Sequence, residues 1–318
     1  MICVITKYRK ICVNRLLILL APIVRLLESV QFNTKRTDVA PPIFIIGAPR
    51  TGSTILYQAL TNAYQLAYID NSTCTWHRNL RFGLWLSRKK YGSRPHNNFQ
   101  SDHGNTHKFG GHAPSECGQF WYRWLPKDRH FIDHHEITTK MVTGLRQEVL
   151  GASAYLQEPL LFKNLNAGQR LRLIHKVFPD AKIIFVRRDP RFVTRSILKA
   201  RDKVGAGKGQ WWSIMPPNVS DLLELDESEM CSGQVYYLES QIEEDLVLFP
   251  QENVRQVHYQ TFDENLIHDL GNWIGVSRRA GGVLPEFQHD DVDQLTPQEQ
   301  AELATLVEKY PFKKELFV

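Results

Sequence analysis

The stretch GAPRTGST, residues 47–54, constrains the fold more than any other part of the chain, because it directly follows a short apolar run. That run, IFII at residues 43–46, is typical of a buried strand in a parallel sheet. Behind the loop, the apolar residues from Leu56 to Ala63 keep helical spacing. A glycine-containing turn between a strand and a helix N-terminus offers backbone N–H groups to an anion. The sequence therefore predicts an anion-binding corner at residues 47–54.

The loop differs from a nucleotide phosphate loop of the form G-x-x-x-x-G-K-[ST] at one informative position. Ser53 stands where that loop has its lysine, and a basic residue, Arg50, comes three places earlier. Kinases and related enzymes need the lysine on the β- and γ-phosphates. The sequence therefore indicates a loop for a different transferred group, with Arg50 beside the bond that is broken.

A second corner follows in FVRRDPRFVTRSIL, residues 185–198. Asp189 is a good helix N-cap and Pro190 suits the first helical position, which predicts another turn from a strand into a helix. Arg188 precedes the cap, and Ser196 lies two turns into the helix. Arginine forks match phosphate oxygens in a bidentate way. Together the two corners predict a ligand with two separate anionic ends.

Further strand candidates alternate with helical segments along the chain, at Leu160–Asn164, Lys182–Val186 and Val254–Tyr259. This alternation predicts an α/β fold, a phosphate-loop-like parallel β-sheet flanked by helices on both faces, with its ligand at the carboxyl ends of the strands. Residues 76–135 are rich in Trp, His, Arg, Gly and Pro and show weak periodicity. We expect them to form an irregular, partly helical insertion over the acceptor side of the sheet.

The chain divides by prediction into residues 1–38, an amphipathic helix (Arg9–Val30, bent at Pro22) with a polar linker, and residues 39–318, one α/β domain. The apolar N-terminal stretch is interrupted by Arg15 and Arg25, so its uninterrupted part is far shorter than a bilayer span. Three roles stay open for this helix: packing on the domain, joining two copies of the chain, or lying on a membrane surface. A short membrane anchor is the less favoured option.

The composition gives weaker constraints. The formal charge is +5, too mild to indicate nucleic acid as a partner. Basic residues crowd between Lys163 and Lys208, which suits a small polyanion or a solvated basic face. The five cysteines are odd in number and include no C-x-x-C pair, so we expect reduced thiols, no zinc site and a cytoplasmic, optionally membrane-associated, location.

Three blocks, PIFIIGAPRTGSTIL, AKIIFVRRDPRFVTRSIL and HYQTF, resemble the sulfotransferase family and follow in its order, although Gln260 and Thr261 stand where the family has acidic residues. The resemblance implies 3′-phosphoadenylyl sulfate (PAPS) as donor and 3′-phosphoadenosine 5′-phosphate (PAP) as product, with no metal required. It implies that the 5′ end of the donor is held by Arg50, Thr51, Gly52, Ser53 and Thr54. It implies that Arg188 and Ser196 hold the 3′-phosphate, and that Tyr259 lies near the adenine.

The resemblance also bears on catalysis. Cytosolic members carry lysine where Arg50 stands, and arginine there resembles the bacterial-type and carbohydrate-type branches. Because arginine does not give up its proton, we expect Arg50 to act by electrostatics on the leaving oxygen. Glu116, in HAPSECGQFW, resembles an acidic position near the acceptor site and is our choice of general base. The alternatives are three histidines and a second glutamate, namely His112, His134, His135 and Glu136.

Other features leave alternatives open. Lys163 lies at a strand end, where it contacts the sulfate or simply ends the strand. The run Lys203–Pro217 is rich in glycine and tryptophan, which predicts either a mobile loop that closes over donor or acceptor or an exposed packing loop. The acceptor is a hydroxyl or amine of a small molecule, lipid or carbohydrate. Two other functions compete: a nucleotide kinase-like phosphotransferase, and a non-catalytic protein that binds PAPS or a glycan.

Overall fold

Four parallel strands form the centre of the protein in a computed structural model that describes residues 17–28, 39–102, 104–207 and 209–317. Their order across the sheet is β2-β1-β3-β4, with Ile45 of the first strand opposite both Lys163 and Ile184. The predicted α/β fold with a parallel sheet is confirmed. The strands have the bounds β1 Ile43–Ile46, β2 Leu161–Lys163, β3 Lys182–Arg187 and β4 Val254–His258.

Helices cover both faces of this sheet. One long segment predicted as a single helix, Ala167–Phe178, instead starts with a 3-10 turn at Leu165–Arg170 before the α-helix begins. The predicted insertion contains two helices, Leu80–Tyr91 and Gly118–Trp121, joined by irregular chain. The helices have the bounds α1 17–28, α2 Ser53–Ala63, α3 Asn71–Thr75, α4 Leu80–Tyr91, α5 Gly118–Trp121, α6 Thr139–Leu156, α7 Leu171–Val177, α8 Pro190–Val204, α9 Val219–Leu223, α10 Glu227–Leu246, α11 Glu264–Ile274 and α12 Pro297–Glu308.

The alternation of side chains along the strands divides the core between the two faces of the sheet. On one face, Phe44 is fully buried and its ring packs against the rings of Phe162, Trp121 and Phe178. On the other face, Ile45 belongs to the cluster that buries α2 and α11. All residues of β1 are buried, which explains why its sequence is apolar without interruption.

The strand order determines which loops meet. Since β1 lies between β2 and β3, the loop that follows Ile46 has the end of β2 on one side and the end of β3 on the other. β4, on the far side of β3, ends beside Arg187. Parallel strands share their carboxyl edge, so Lys163, the loop at residues 47–52, Arg188 and Tyr259 lie side by side in that order.

The expectation that the cysteines are reduced thiols is wrong for two of them. Cys74 and Cys117 form a disulfide, with 5.5 Å between their Cα atoms. The two residues are 43 positions apart, and only the path of the insertion brings α3 against the segment before α5. Cys231 is free and buried, and burial raises the pKa of its thiol to about 12. The cysteines therefore give no argument for a reducing compartment.

The N-terminal segment is helical where the structure describes it, at residues 17–28, and the rest of the predicted span and linker lies outside the described residues. Polar side chains fasten this helix to the domain: Arg25 donates to Glu148 at 2.7 Å, and buried Glu28 accepts from Asn79 and from the backbone of Phe82. Five of its large aliphatic residues instead face solvent, namely Ile18, Leu19, Ile23, Leu26 and Leu27, whereas Val24 is buried. Among the helices of the described ranges, none has the length and apolar character needed to cross a bilayer.

Candidate active site

A cleft of about 360 Å³ opens at the carboxyl ends of the strands, where the strand order brings the four loops together. Its volume is in the range of small-molecule sites. Both predicted corners and the predicted base contribute to its wall, together with residues of the insertion and of the loop after α8. The lining residues are Pro49, Arg50, Gly52, Ser53, Thr54, Ile55, Ser101, Gly104, Glu116, Lys163, Leu165, Asn166, Arg188, Trp212, Ser213, Ile214 and Tyr259.

Two glycines of the first corner are required by close contacts. Gly47, with φ +151°, lies so near β3 that a Cβ there would be 2.4 Å from the carbonyl oxygen of Val186. Gly52, with φ +86°, precedes α2 in the left-handed conformation, and a Cβ would be 2.4 Å from the Tyr259 ring. Glycine is the residue that adopts this backbone without strain. The turn thus packs on β3 and on the residue that follows β4, and it aims the N-terminus of α2 at the cleft.

The hydroxyl groups of this corner have different orientations. Thr51 is fully buried, and its hydroxyl donates to the carbonyl oxygen of Ala48 at 2.9 Å, which closes the turn from inside. Thr51 does not line the cleft. Ser53 and Thr54 do line it, as the first two residues of α2. Of the predicted hydroxyl donors, the geometry thus leaves Ser53 and Thr54 for a ligand in the cleft.

The two corners are connected by direct hydrogen bonds. Arg50 donates from Nε to the Ser196 hydroxyl at 3.0 Å, and Arg188 donates from Nη1 to the Arg50 carbonyl oxygen at 2.8 Å. The Arg188 guanidinium also lies over the Tyr259 ring, 4.5 Å from its centre. Four of the residues that the sequence analysis assigned to one ligand are therefore in mutual contact, although they come from three separate segments.

Arg50 has an unusual electrostatic environment. Burial lowers the pKa of its guanidinium, and the nearby Arg188 lowers it further. Within the described residues, no carboxylate lies at ion-pair distance from Arg50. Two neighbouring cations in a partly buried place raise each other's free energy until an anion joins them. The arrangement favours binding of an anionic group beside Arg50.

Arg188 is paired differently, by a residue that the sequence analysis missed. Asp290 accepts from Nε of Arg188 at 2.7 Å and from Nη2 at 2.5 Å. Gln260 holds the same aspartate by its backbone, donating to the Asp290 carbonyl and accepting from the Asp290 amide. Asp290 is 102 residues beyond Arg188 in an irregular segment, and no local pattern marks it.

At the other side of the first corner, Lys163 and Glu116 form an ion pair in the cleft wall. The Lys163 side chain is 2% exposed and the Glu116 side chain 37% exposed, so the carboxylate faces the opening while the ammonium group lies behind it. Gly104, with φ +89°, passes close to both: a Cβ there would be 3.4 Å from Glu116 Oε1 and from Lys163 Nζ. The backbone of the insertion therefore forms the third wall of this end.

None of the four alternatives to Glu116 lines the cleft. His112 lies elsewhere in the insertion, 3.2 Å from the Asp70 carboxylate and stacked on Tyr91. The other three belong to one 3-10 turn, His134–Glu136, whose glutamate pairs with Arg129 and with the backbone of Asp133. Glu116 is thus the predicted base that the fold brings to the cleft.

The loop after α8 contributes Trp212, Ser213 and Ile214 to the cleft, consistent with a segment that covers donor or acceptor. It is not loosely attached. Gln234 donates to the carbonyl oxygens of Trp212 and Ile214, and the Met215 amide donates to Nδ1 of His130 at 2.9 Å. The second half of the predicted mobile loop is therefore fixed by hydrogen bonds that are buried or partly buried.

Two basic residues near the end of α11, Arg278 and Arg279, have roles outside the cleft. Arg279 is buried and donates to the backbone carbonyl oxygens of Tyr64, Leu66 and Ser93. Arg278 pairs with Glu264 at 3.5 Å. Neither lines the cleft. Across the described ranges, no group of three or more His, Cys, Asp or Glu side chains is arranged to hold a metal ion.

Comparison with known proteins assigns the family. The model of the sulfotransferase family matches residues 41–272, which is well over half of the chain and includes both corners and the Tyr259 segment. The chain belongs to the sulfotransferase family. A search of curated protein sequences gave no match.

Solved structures of sulfotransferases are similar at low sequence identity. The crystal structure of sulfotransferase STF9 from Mycobacterium avium aligns with a TM-score of 0.46 and 16% identity, over 92% of this chain and 73% of that chain. A sulfotransferase from Alicyclobacillus acidocaldarius aligns with a TM-score of 0.43 and 14% identity, over 85% of this chain and 92% of that chain. Sulfotransferase STF1 from Mycobacterium tuberculosis H37Rv aligns with a TM-score of 0.46 and 11% identity, over 88% of this chain and 75% of that chain.

The hydrogen bond between His130 and the cleft loop predicts a pH effect. Burial, and then the charge of Arg170, lower the pKa of His130 from 6.5 to about 4. A depressed folded pKa means that the neutral ring contributes stability fully above pH 6.5, and that this contribution is lost as the pH falls toward 4. In urea titrations, the wild type should lose on the order of 1 kcal/mol more unfolding free energy between pH 7 and 5 than His130→Gln does. Parallel pH curves for the two proteins would contradict this account.

Proposed function

We propose that this sulfotransferase-family protein transfers a sulfuryl group from PAPS to a hydroxyl or amine of an acceptor. The observation that carries the proposal is the half-buried Arg50, which has no carboxylate partner within the described residues and lies between the N-terminus of α2 and Arg188. A partly buried cation next to a helix N-terminus binds an anion more strongly than a solvated basic face does. Family membership supports PAPS as that anion.

The donor would use both corners. Backbone N–H groups at Gly52, with Ser53, Thr54 and Arg50, would hold the 5′-phosphosulfate, which suits the position of these groups at the start of α2. Arg188 and Ser196 would hold the 3′-phosphate. Thr51 would take part through its backbone, because its hydroxyl already donates to Ala48.

Tyr259 would serve the nucleoside part of the donor. Its ring lines the cleft, packs against Gly52 and lies under the Arg188 guanidinium. An aromatic face at this position offers a stacking surface for a purine. The adenine would therefore lie against the Tyr259 ring, beside the Gly52 corner and Arg188.

The chemistry asks mainly for positioning and charge stabilisation. A bond forms between the acceptor oxygen and sulfur, while the bond from sulfur to the 5′-phosphate oxygen breaks and PAP leaves. Arg50 would offset the charge that grows on that leaving oxygen, and Lys163, which pairs with Glu116 on the other side of the first corner, would contact the sulfuryl group. A sulfuryl group carries less charge than a γ-phosphoryl group, so these fixed cations suffice in our proposal without magnesium.

Glu116 would accept the proton of the acceptor hydroxyl. Its carboxylate faces the cleft opening, and the Lys163 ammonium behind it holds it in place by an ion pair. The acceptor would enter between Glu116, the Gly104 backbone and Trp212. A tryptophan beside polar groups suits a sugar, a lipid headgroup or a small metabolite, and we propose no nucleic-acid partner.

The donor prediction is tested by calorimetry with PAP in the presence of EDTA. We expect binding, and we expect Arg188→Ala to weaken it by about tenfold or more, because a charge-assisted bidentate contact is lost. Arg195→Ala is the matched control, since Arg195 lies on the helix that follows Arg188 but pairs with Glu299 outside the cleft. Its affinity should stay within about twofold.

Two results would redirect the proposal. Tight binding of Mg-ATP without binding of PAP would favour a nucleotide kinase-like phosphotransferase. Binding of PAP with no sulfate transferred from radiolabelled PAPS to any member of a broad acceptor panel would favour a non-catalytic PAPS- or glycan-binding protein.

The base prediction uses the same labelled donor with an acceptor that the panel identifies. Glu116→Gln should lower turnover by about a hundredfold or more, because the proton acceptor is removed, while PAP affinity stays within about threefold. Glu136→Gln, which changes a carboxylate outside the cleft, should leave turnover unchanged. Turnover of Glu116→Gln near the wild-type value would assign the base elsewhere.

For helix α1 (17–28) we propose contact with a membrane surface. Five of its large aliphatic side chains point outward, from 47% to 73% exposed, while its polar groups hold it to the domain. A helix that exposes aliphatic side chains while its polar groups are held by the domain can lie in the interface of a membrane. An outward apolar face of this size on a fastened helix indicates an interaction surface.

The membrane proposal predicts co-sedimentation with vesicles of phosphatidylcholine and phosphatidylserine. The double variant Leu19→Glu/Leu26→Glu should abolish it, whereas Val247→Glu, the same change at a residue that is 82% exposed on another surface, should not. Absence of vesicle binding, together with a wild-type dimer that the double variant dissociates in sedimentation equilibrium, would instead assign this face to a second copy of the chain.

A further inference from the structure

We propose that Asp290 is an internal anion that occupies Arg188 before the donor arrives, and that binding of the 3′-phosphate displaces it together with residues 288–291. This inference rests on the proposed function, because it assigns Arg188 to a phosphate. It adds a competing group from the chain itself to that site.

The contact between the two side chains has the form of a ligand contact. Both carboxylate oxygens of Asp290 accept from Arg188, one from Nε and one from Nη2. This parallel pair of charge-assisted bonds is the arrangement by which an arginine binds two oxygens of a phosphate. The carboxylate therefore uses the edge of the guanidinium that a 3′-phosphate would use.

A phosphate and this carboxylate do not share the site at low cost. The Asp290 side chain is 5% exposed, so its charge is poorly screened by solvent. A phosphate on Arg188 would lie within a few ångströms of it, and like charges at that distance in a partly buried place repel strongly. Arg188 is the ion-pair partner of Asp290 in the structure. Displacement of Asp290 relieves the repulsion and leaves Arg188 to the donor.

The surrounding chain is built so that little else must change. Among residues 281–294, all of which are described, Asp290 is the single buried one. Gln288, His289 and Asp291 beside it are exposed. The segment is anchored before this point by Phe287, which packs on Phe262, and after it by Leu295, which is buried against Phe192 and Leu303.

Gln260 is the second contact that displacement breaks. Its amide group donates to the Asp290 carbonyl oxygen at 2.6 Å and accepts from the Asp290 amide at 2.7 Å. Gln260 directly follows Tyr259, whose ring lies between Gly52 and Arg188. Tyr259, the proposed surface for the nucleoside, is therefore adjacent in sequence to Gln260, which holds Asp290. A nucleotide in the cleft would lie next to both residues.

A consequence of this arrangement is a reduced apparent affinity. A donor that must first displace an internal ligand binds more weakly, by the fraction of molecules whose site is open. Removing the charge of Asp290 should therefore strengthen binding of PAP. If Asp290 instead positions Arg188 for the phosphate, removing the charge should weaken binding.

The two cases are separated by calorimetry with PAP on the full chain. Asp290→Asn keeps the size of the side chain and loses its charge, and we expect its dissociation constant to fall about tenfold or more. Glu286→Gln, the same change of charge at an exposed residue of this segment, should stay within about twofold. An unchanged or higher dissociation constant for Asp290→Asn overturns the inference. Failure of the wild type and both variants to bind PAP overturns the proposed donor as well.

Hydrogen exchange provides a readout that needs no substitution. In the wild type, the Asp290 amide is protected by its bond to Gln260. Addition of PAP should speed exchange in a peptide that covers residues 288–291 by about tenfold or more, while the core strand at residues 182–187 stays protected. Slower exchange at 288–291 on addition of PAP would contradict displacement of Asp290.

Discussion

The parallel pairing of β1 with β2 on one side and β3 on the other is the constraint on which the site depends. This order is what places the loop after Ile46 between Lys163 and Arg188. A strand that is buried on both faces needs an uninterrupted apolar sequence and a tight exit, and IFII followed by Gly47 provides both. Loss of that pairing would separate the two anion-binding corners, whatever their own sequences.

The two corners were predictable because their signals are local. A glycine at positive φ, an aspartate N-cap and a proline at the first helical position each act within a few residues, and all are found where the sequence indicates them. The strands were predicted to within two residues at each end for the same reason. The contact between Arg50 and Ser196 was not visible in the sequence, but it follows once β1 and β3 are neighbours.

The contacts that sequence reasoning missed are those that depend on the path of irregular chain. Asp290 meets Arg188 across 102 residues, and the Cys74–Cys117 disulfide closes a loop through the insertion. Asp290 and Cys117 both lie in irregular chain, so neither composition nor periodicity indicates these two contacts. The prediction of reduced cysteines shows the limit of such rules, since an odd count and wide spacing are compatible with one bonded pair.

The close passage of Gly104 has a consequence for how this site could diversify. On that side, the wall near Glu116 is main chain rather than side chain, and it belongs to the insertion rather than to the sheet. Asp102, two residues away, pairs with Lys203 near the end of the helix that also carries Ser196. In the proposed function, reshaping the insertion would thus alter the width of the acceptor entrance while the sheet keeps the nucleotide end unchanged, and selectivity for the acceptor could change independently of the donor.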